Sequence, residues 1–440
     1  MSDRWSREQV LALAPDAVSQ RAAERAADPG RWSGTGCSAD EDGAAVWGAC
    51  KGSGAKPYRA CVDLSGPAYR CTCPSRKFPC KHALALLLLW SAGGVPAAPA
   101  AADWVLEWID ERRERGARAA RGVAGPRGAE PADPQAQRRR ADQREHRVAA
   151  GVEELDRWLQ DQVRGGLAEA HLAGYGHWET AAARLVDAQA SAPAAVLRRL
   201  AAVPRSGEGW PGRLLEEYAM LRLLVVAARR LPELPDPLRQ VVRSRLGFTV
   251  DREEVLAGPT VRDRWHVVGQ HDSEEDRLAV RRVWLQGRDR AALVLSFAGP
   301  GQPLDASLVV GTAVDAELAF YPGTLALRAL VARRHGGATA AVPRGGSVAA
   351  LLGAYAGALA CDPWLEAWPA VLEGVRPARD GGWALVDPDG DAVPLHPGAG
   401  EPWRLVALSG GRPLTVAGEW SPRGLLWLTA WDTDGRVVAL

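Results

Sequence analysis

Between Cys71 and His82 the chain places three of its seven cysteines and one of its eight histidines, in the pattern C-x-C-x6-C-x-H. Three thiolates and one imidazole are the donors that Zn²⁺ takes in closed structural sites. Residues two apart on an extended strand face the same way, so Cys71 and Cys73 can reach one ion together. Pro74 and Pro79 stiffen the loop that brings Cys80 back, and Cys80 and His82 sit where a helix begins. Four protein donors fill a tetrahedron and leave no position for water or substrate, so the spacing predicts a structural site and not a catalytic one. The following run, Ala83 to Trp90, is apolar on nearly every face of a helix. It must be buried, which clamps the metal loop onto a larger core.

The residues before the motif predict what carries it. A helix over residues 4–27, broken or kinked at Pro15, ends at Asp28-Pro29-Gly30. Short strands follow at Ala44–Cys50, Tyr58–Leu64 and Ala68–Cys73, with glycine turns between them. The motif therefore lies on the last strand of a small antiparallel sheet and runs into a helix, His82–Trp90.

This arrangement resembles the SWIM zinc finger. The resemblance rests on the C-x-C…C-x-H pattern and on Gly52-Ser53-Gly54, Pro57-Tyr58 and Cys73 to Leu84 around it, and it covers residues 44–90. It is similar in particular to bacterial stand-alone SWIM proteins. The resemblance implies one structural Zn²⁺ on Cys71, Cys73, Cys80 and His82, and a role in DNA or protein interaction. SWIM modules occur in certain transposases, kinases and helicase-like chromatin remodellers. The stand-alone bacterial proteins tend to be encoded beside MoxR-type AAA ATPases and von Willebrand A-type proteins, which are the partners the resemblance implies. The segment Ala182 to Ala190 is similar to a signature of the same family, its polar residues expected in buried helix-packing hydrogen bonds.

A chain of 440 residues is too long for one core. The expected fold class is α+β multidomain. An N-terminal domain over residues 1–110 holds the zinc module (small β-sheet plus helix). A flexible Arg/Ala/Gly/Pro linker over 111–147 leads to an all-α domain over 148–260, where Val152, Leu155, Leu159 and Val163 mark one amphipathic helix. From 261 to 440 the pattern turns to an antiparallel β-rich domain ending in a small barrel, with helices at Ser347–Ala360 and Trp364–Leu372 and hairpin strands that include Trp403–Leu408.

Charge narrows the function. The net charge is +1, so nucleic-acid contact would need a local patch. One exists: Lys51, Lys56, Arg59, Arg70, Arg76, Lys77 and Lys81 face the single acid Asp63, with Tyr58, Tyr69 and Phe78 interleaved. Of these, Arg70, Arg76, Lys77 and Lys81 stand beside the metal ligands. They can offset the net negative charge of a zinc–thiolate cluster or contact phosphate. No Walker loop, Rossmann fingerprint, H-E-x-x-H or G-x-S-x-G is present. Asp387 to Asp391 reads as a hairpin turn, and His171, His177, Asp263, His266, His271 and Asp272 as surface or turn residues. Cys50 and Cys61 read as buried small side chains. The polar N-terminus, the short apolar runs and the odd cysteine count predict a reducing cytoplasm. The resulting expectation is a non-enzymatic zinc-binding adaptor for protein partners, with a DNA-binding protein as the alternative.

Overall fold

The computed structural model describes residues 4–440 except 15, 41–42, 53–55, 65–67, 76, 78, 99–100, 123–133, 168–174, 276–277, 300–301 and 303. Arg76, Phe78 and His171 lie outside the described residues.

The N-terminus forms two helices where the sequence suggests one. A reciprocal bond between Ser6 and Gln9 opens α1 (Arg7–Ala12), and Asp16 accepts from the Ser19 N–H at 2.7 Å to open α2 (Ala17–Ala26). Each start is capped by its own side chain. Four strands then form an antiparallel meander: β1 (Trp32–Asp40), β2 (Gly43–Cys50), β3 (Tyr58–Asp63) and β4 (Ala68–Cys71). β1 is one strand more than the sequence pattern suggested. It is rich in small polar residues and owes its place to pairing with β2, where Gly36 leaves room for the Trp47 ring. The sheet is covered on both faces. α3 (Lys81–Ser91) packs on Val46, Ala60 and Val62, while α4 (Asp103–Gly122) lays Val105, Trp108 and Ile109 on Ala45, Trp47 and Cys61. α3 is buried from His82 to Trp90. Its leucines each contribute about 1.5–3 kcal/mol relative to exposure.

The stretch expected as a linker is helical where it is described. α4 runs to Gly122 and α5 (Pro134–Gly165) begins well before residue 148. Ala, Arg, Gln and Glu all favour helix, and Arg144 is anchored by donating to the Gly247 carbonyl and stacking over Phe248. With α5 go α6 (Tyr175–Asp187), α7 (Ser191–Leu200), α8 (Trp210–Arg229) and α9 (Asp236–Leu246), around a core that includes Trp178, Leu197 and Leu214. Gly247, at φ 103°, ends α9. Val163 is exposed, and so are Arg184, Asp187 and Gln189 of the segment 182–190, where buried hydrogen bonds were expected. Arg184 instead reaches Glu154 at the surface.

After a short α10 (Arg252–Ala257) the chain builds two β units. β5 (Thr260–Glu275), β6 (Leu278–Gln286), β7 (Ala291–Ala298), β8 (Thr312–Phe320) and β9 (Arg328–Arg334) close into a barrel, because β9 pairs with both β7 and β8. Trp265, Val267, Leu285 and Leu318 fill it. The barrel thus opens the C-terminal half rather than ending it; β10 (Thr339–Ala340) pairs with β8 outside the ring.

The end of the chain is a second, six-stranded antiparallel sheet. It contains β11 (Trp368–Asp380), β12 (Gly382–Val386), β13 (Ala392–Pro394), β14 (Leu414–Ser421), β15 (Gly424–Trp431) and β16 (Val437–Ala439), and α11 (Val348–Cys361) and α12 (Trp403–Ser409) pack against its core. Two elements differ from the sequence reading. Residues 368–372 are strand, not helix, since Ala370 and Leu372 are buried at a period of two. Residues 403–409 are helix, not strand, with Leu405 and Ser409 buried one turn apart and Gly410 closing the end at positive φ. Asp387 is buried and accepts from the N–H groups of Asp389, Asp391 and Val348, which makes it the anchor of a turn and of α11.

The zinc module is docked on the barrel. Val309 belongs to the same buried cluster as Val62 and Leu84, and the Gln9 side chain donates to the Gly311 carbonyl at 3.0 Å in a buried bond. The bundle meets the C-terminal half through Trp364, whose indole N–H donates to the Met220 carbonyl, and through Arg199–Glu366 and Arg245–Asp362.

Candidate metal centre

The sheet delivers the first two ligands and α3 the other two. β4 ends at Cys71, where the Thr72 N–H still donates to the Arg59 carbonyl and the Arg59 N–H to Thr72 Oγ1. Cys73 lies just past the strand. Cys80 is the N-cap of α3 and His82 sits in its first turn. The four ligand atoms lie within 4.8 Å of one another, with Cys71 Sγ and His82 Nδ1 3.7 Å apart. A tetrahedron with Zn–S near 2.3 Å needs about 3.8 Å between sulfurs, so the cluster fits one structural Zn²⁺. Cys80 and His82 are almost fully buried, at 1% and 5% exposure, and Cys71 and Cys73 are half-buried.

The surroundings are built for thiolates. The backbone N–H of Cys73 bonds Cys71, that of Ser75 bonds Cys73 and that of Ala83 bonds Cys80. Amides at a helix start and in a tight turn stabilise anionic sulfur. The Cys80 thiol is driven well below its ordinary range, first by the hydrogen bond from Cys71 and also by His82. Without a metal ion, the hydrogen bond with Cys80 and burial push the Cys71 thiol up. Tyr58 stacks on the His82 ring at 5.0 Å and fixes its orientation. The sequence shows Tyr58 only as an interleaved aromatic; the pairing of β3 with β4 is what brings it beside the ligand.

The other cysteines are not part of the cluster. Cys50 and Cys61 are buried at 1% and 0%, and burial pushes the Cys61 thiol up to about 12. The basic residues divide. Lys77 pairs with Asp16 at 2.6 Å, which ties the metal loop to α2. Arg59 stacks over Trp104 on the α4 side. Arg70 and Lys81 are exposed. Among the other residues singled out in the sequence, His177 bonds Gln162, Asp263 accepts from the Arg264 and Arg288 N–H groups, and Asp272 pairs with Arg281. His266 is half-buried, and desolvation lowers its pKa. Neither these histidines nor these carboxylates form a second metal cluster among the described residues. No helix among the described residues is long and apolar enough to cross a membrane.

Two family models match the chain. One, the SWIM zinc finger, covers residues 61–90 and contains all four ligands; the other, the SWIM-associated four-helix bundle domain, covers residues 143–246 and coincides with the helical core from α5 to α9. No curated protein and no solved structure matches the chain. The chain thus carries a SWIM zinc finger with its Cys3His cluster and, after it, the four-helix bundle domain associated with that finger.

Proposed function

We propose that the chain is a non-enzymatic adaptor, in which the zinc finger holds a module in shape so that it can present surfaces to protein partners. The observation that carries this reading is the burial of α3. Every residue from His82 to Trp90 faces the module's interior, and Val309 of the barrel enters the same core. The helix after the ligands is therefore spent on packing and is not free to lie in a nucleic-acid groove. The closed ligand set favours a structural role for the metal. The buried carboxylates support the non-enzymatic reading, because they serve structure: Asp63 is held by Arg112, Asp156 by Arg222 and Arg229, and Glu419 by Trp284 and Arg282. By the family resemblance, the first partners to test are an AAA-type ATPase and a von Willebrand A-type protein. Affinity capture from the native host tests the reading. A protein that co-purifies with the zinc-loaded chain and is lost with Cys80→Ser supports it; capture of no protein contradicts it.

The alternative, DNA binding, draws on the exposed Arg70 and Lys81 and on Lys77. Such binding would fall steeply with added salt, and charge reversal at Arg70, Lys77 and Lys81 would abolish it. Absence of duplex and single-stranded DNA binding at about 50 mM salt removes this alternative.

A further inference from the structure

Between α2 and the metal loop lies an open groove of about 630 Å³. Val18, Ala22 and Arg25 recur at four and three along α2, so one stripe of that helix faces the groove. Arg25, Arg31, Lys77 and Lys81 all line it, and among the described residues no carboxylate does. Lys77 is answered by Asp16, and Arg31 donates to the Lys51 carbonyl. Arg25 and Lys81 have no carboxylate partner among the described residues. A zinc-bound Cys3His cluster carries about one net negative charge. Even with that charge and Asp16 set against them, the four cations leave the groove positive. Its apolar ledge is made by Val18, which is 60% exposed, with Ala22 and Pro74.

We propose that this groove binds a short acidic peptide segment of a partner protein. The peptide's carboxylates pair with Arg25, Arg31 and Lys81, and one aliphatic side chain lies on Val18, Ala22 and Pro74. The proposal rests on the adaptor reading and names the chemistry of the partner. A nucleic acid fits the groove less well. The Tyr58 ring is already stacked on His82, which occupies the aromatic platform that a base would use. Arg59 does not add to the charge of the groove either, because it is turned to Trp104 on the other side of the sheet.

The test is fluorescence anisotropy on the full zinc-loaded chain. The probes are a labelled peptide of alternating glutamate and leucine, the same peptide with glutamine for glutamate, and a labelled oligothymidine. The glutamate peptide is expected to bind, the glutamine peptide not, and Arg25→Glu with Lys81→Glu to weaken binding by about tenfold or more. Zinc content shows whether the variant is intact; if Lys81→Glu loses metal, Arg25→Glu with Arg31→Glu replaces it. The proposal is overturned if the glutamate peptide does not bind at low salt, if the charge reversals leave its affinity unchanged, or if oligothymidine binds and displaces it. Capture of the same host protein equally well by the wild-type chain and by the charge-reversed variant removes the groove and leaves the adaptor standing. Loss of all capture by the wild-type chain removes the adaptor itself.

Discussion

At the residue scale, the cysteines separate into two chemical classes by what surrounds them. Cys71, Cys73 and Cys80 receive backbone N–H bonds and converge with His82, while Cys61 sits against Val105 and Trp108 with its thiol raised by burial. Cys61→Ser is therefore expected to keep its zinc and lose about 1–3 kcal/mol of stability, since a hydroxyl replaces a thiol in an apolar site. Thermal unfolding together with metal analysis checks both halves, and zinc loss would show that Cys61 is a ligand after all. Asp387 is a second case in which environment defines the role. Three N–H groups depend on its carboxylate, so Asp387→Ala should cost about 1–3 kcal/mol of stability, measured by denaturant unfolding. The ligands were legible from spacing alone, because thiolates and imidazole at C-x-C…C-x-H have few other uses. Tyr58 on His82 and Lys77 on Asp16 were not, since each pair joins elements whose proximity only the folded sheet and helices create.

At the element scale, caps and periods decided where sequence patterns held. Ser347 opens α11 by accepting from the Ala350 N–H, which fixes the helix start next to where the sequence pattern places it. β11 and α12 differ from what the sequence pattern predicts because short apolar runs with tryptophan fit both periods. The Pro402 start and the Gly410 stop mark α12, and the alternation of Ala370 and Leu372 marks β11. β1 carried too little apolar pattern to announce itself, and its partner β2 supplies the reason it is a strand. The end of α9 gives a direct check. Gly247 has φ 103°, and a Cβ there would lie 2.8 Å from Ser191 Oγ and 3.1 Å from the Ser191 nitrogen. Gly247→Ala should destabilise the bundle by about 1–3 kcal/mol, through strain at positive φ and pressure on the start of α7. A bundle that unfolds at the wild-type denaturant midpoint in this variant would contradict that geometry.

At the scale of the whole molecule, the class of fold was readable but the assembly was not. Periodicity separates a small sheet, a bundle and a β-rich half. It says nothing of β9 closing a barrel between β7 and β8, or of Val309 completing the core of the zinc module. The Gln9 bond to Gly311 spans 302 residues of chain. Gln9→Ala should cost about 1–3 kcal/mol and raise hydrogen exchange near Gly311 and α1 more than in the bundle. Metal has the larger leverage, since zinc contributes on the order of 10–16 kcal/mol to small fingers. Its loss is expected to unfold residues around the finger and expose the barrel surface at Val309, while the bundle and the C-terminal sheet stay folded on their own cores. The most direct measurement is zinc per chain in purified wild-type protein and in Cys80→Ser, read beside hydrogen exchange of both. The account predicts one zinc per chain in the wild type, none in the variant, and lost protection confined to the N-terminal module and its seat on the barrel. Less than one zinc in the wild type, or full zinc in Cys80→Ser, would contradict it.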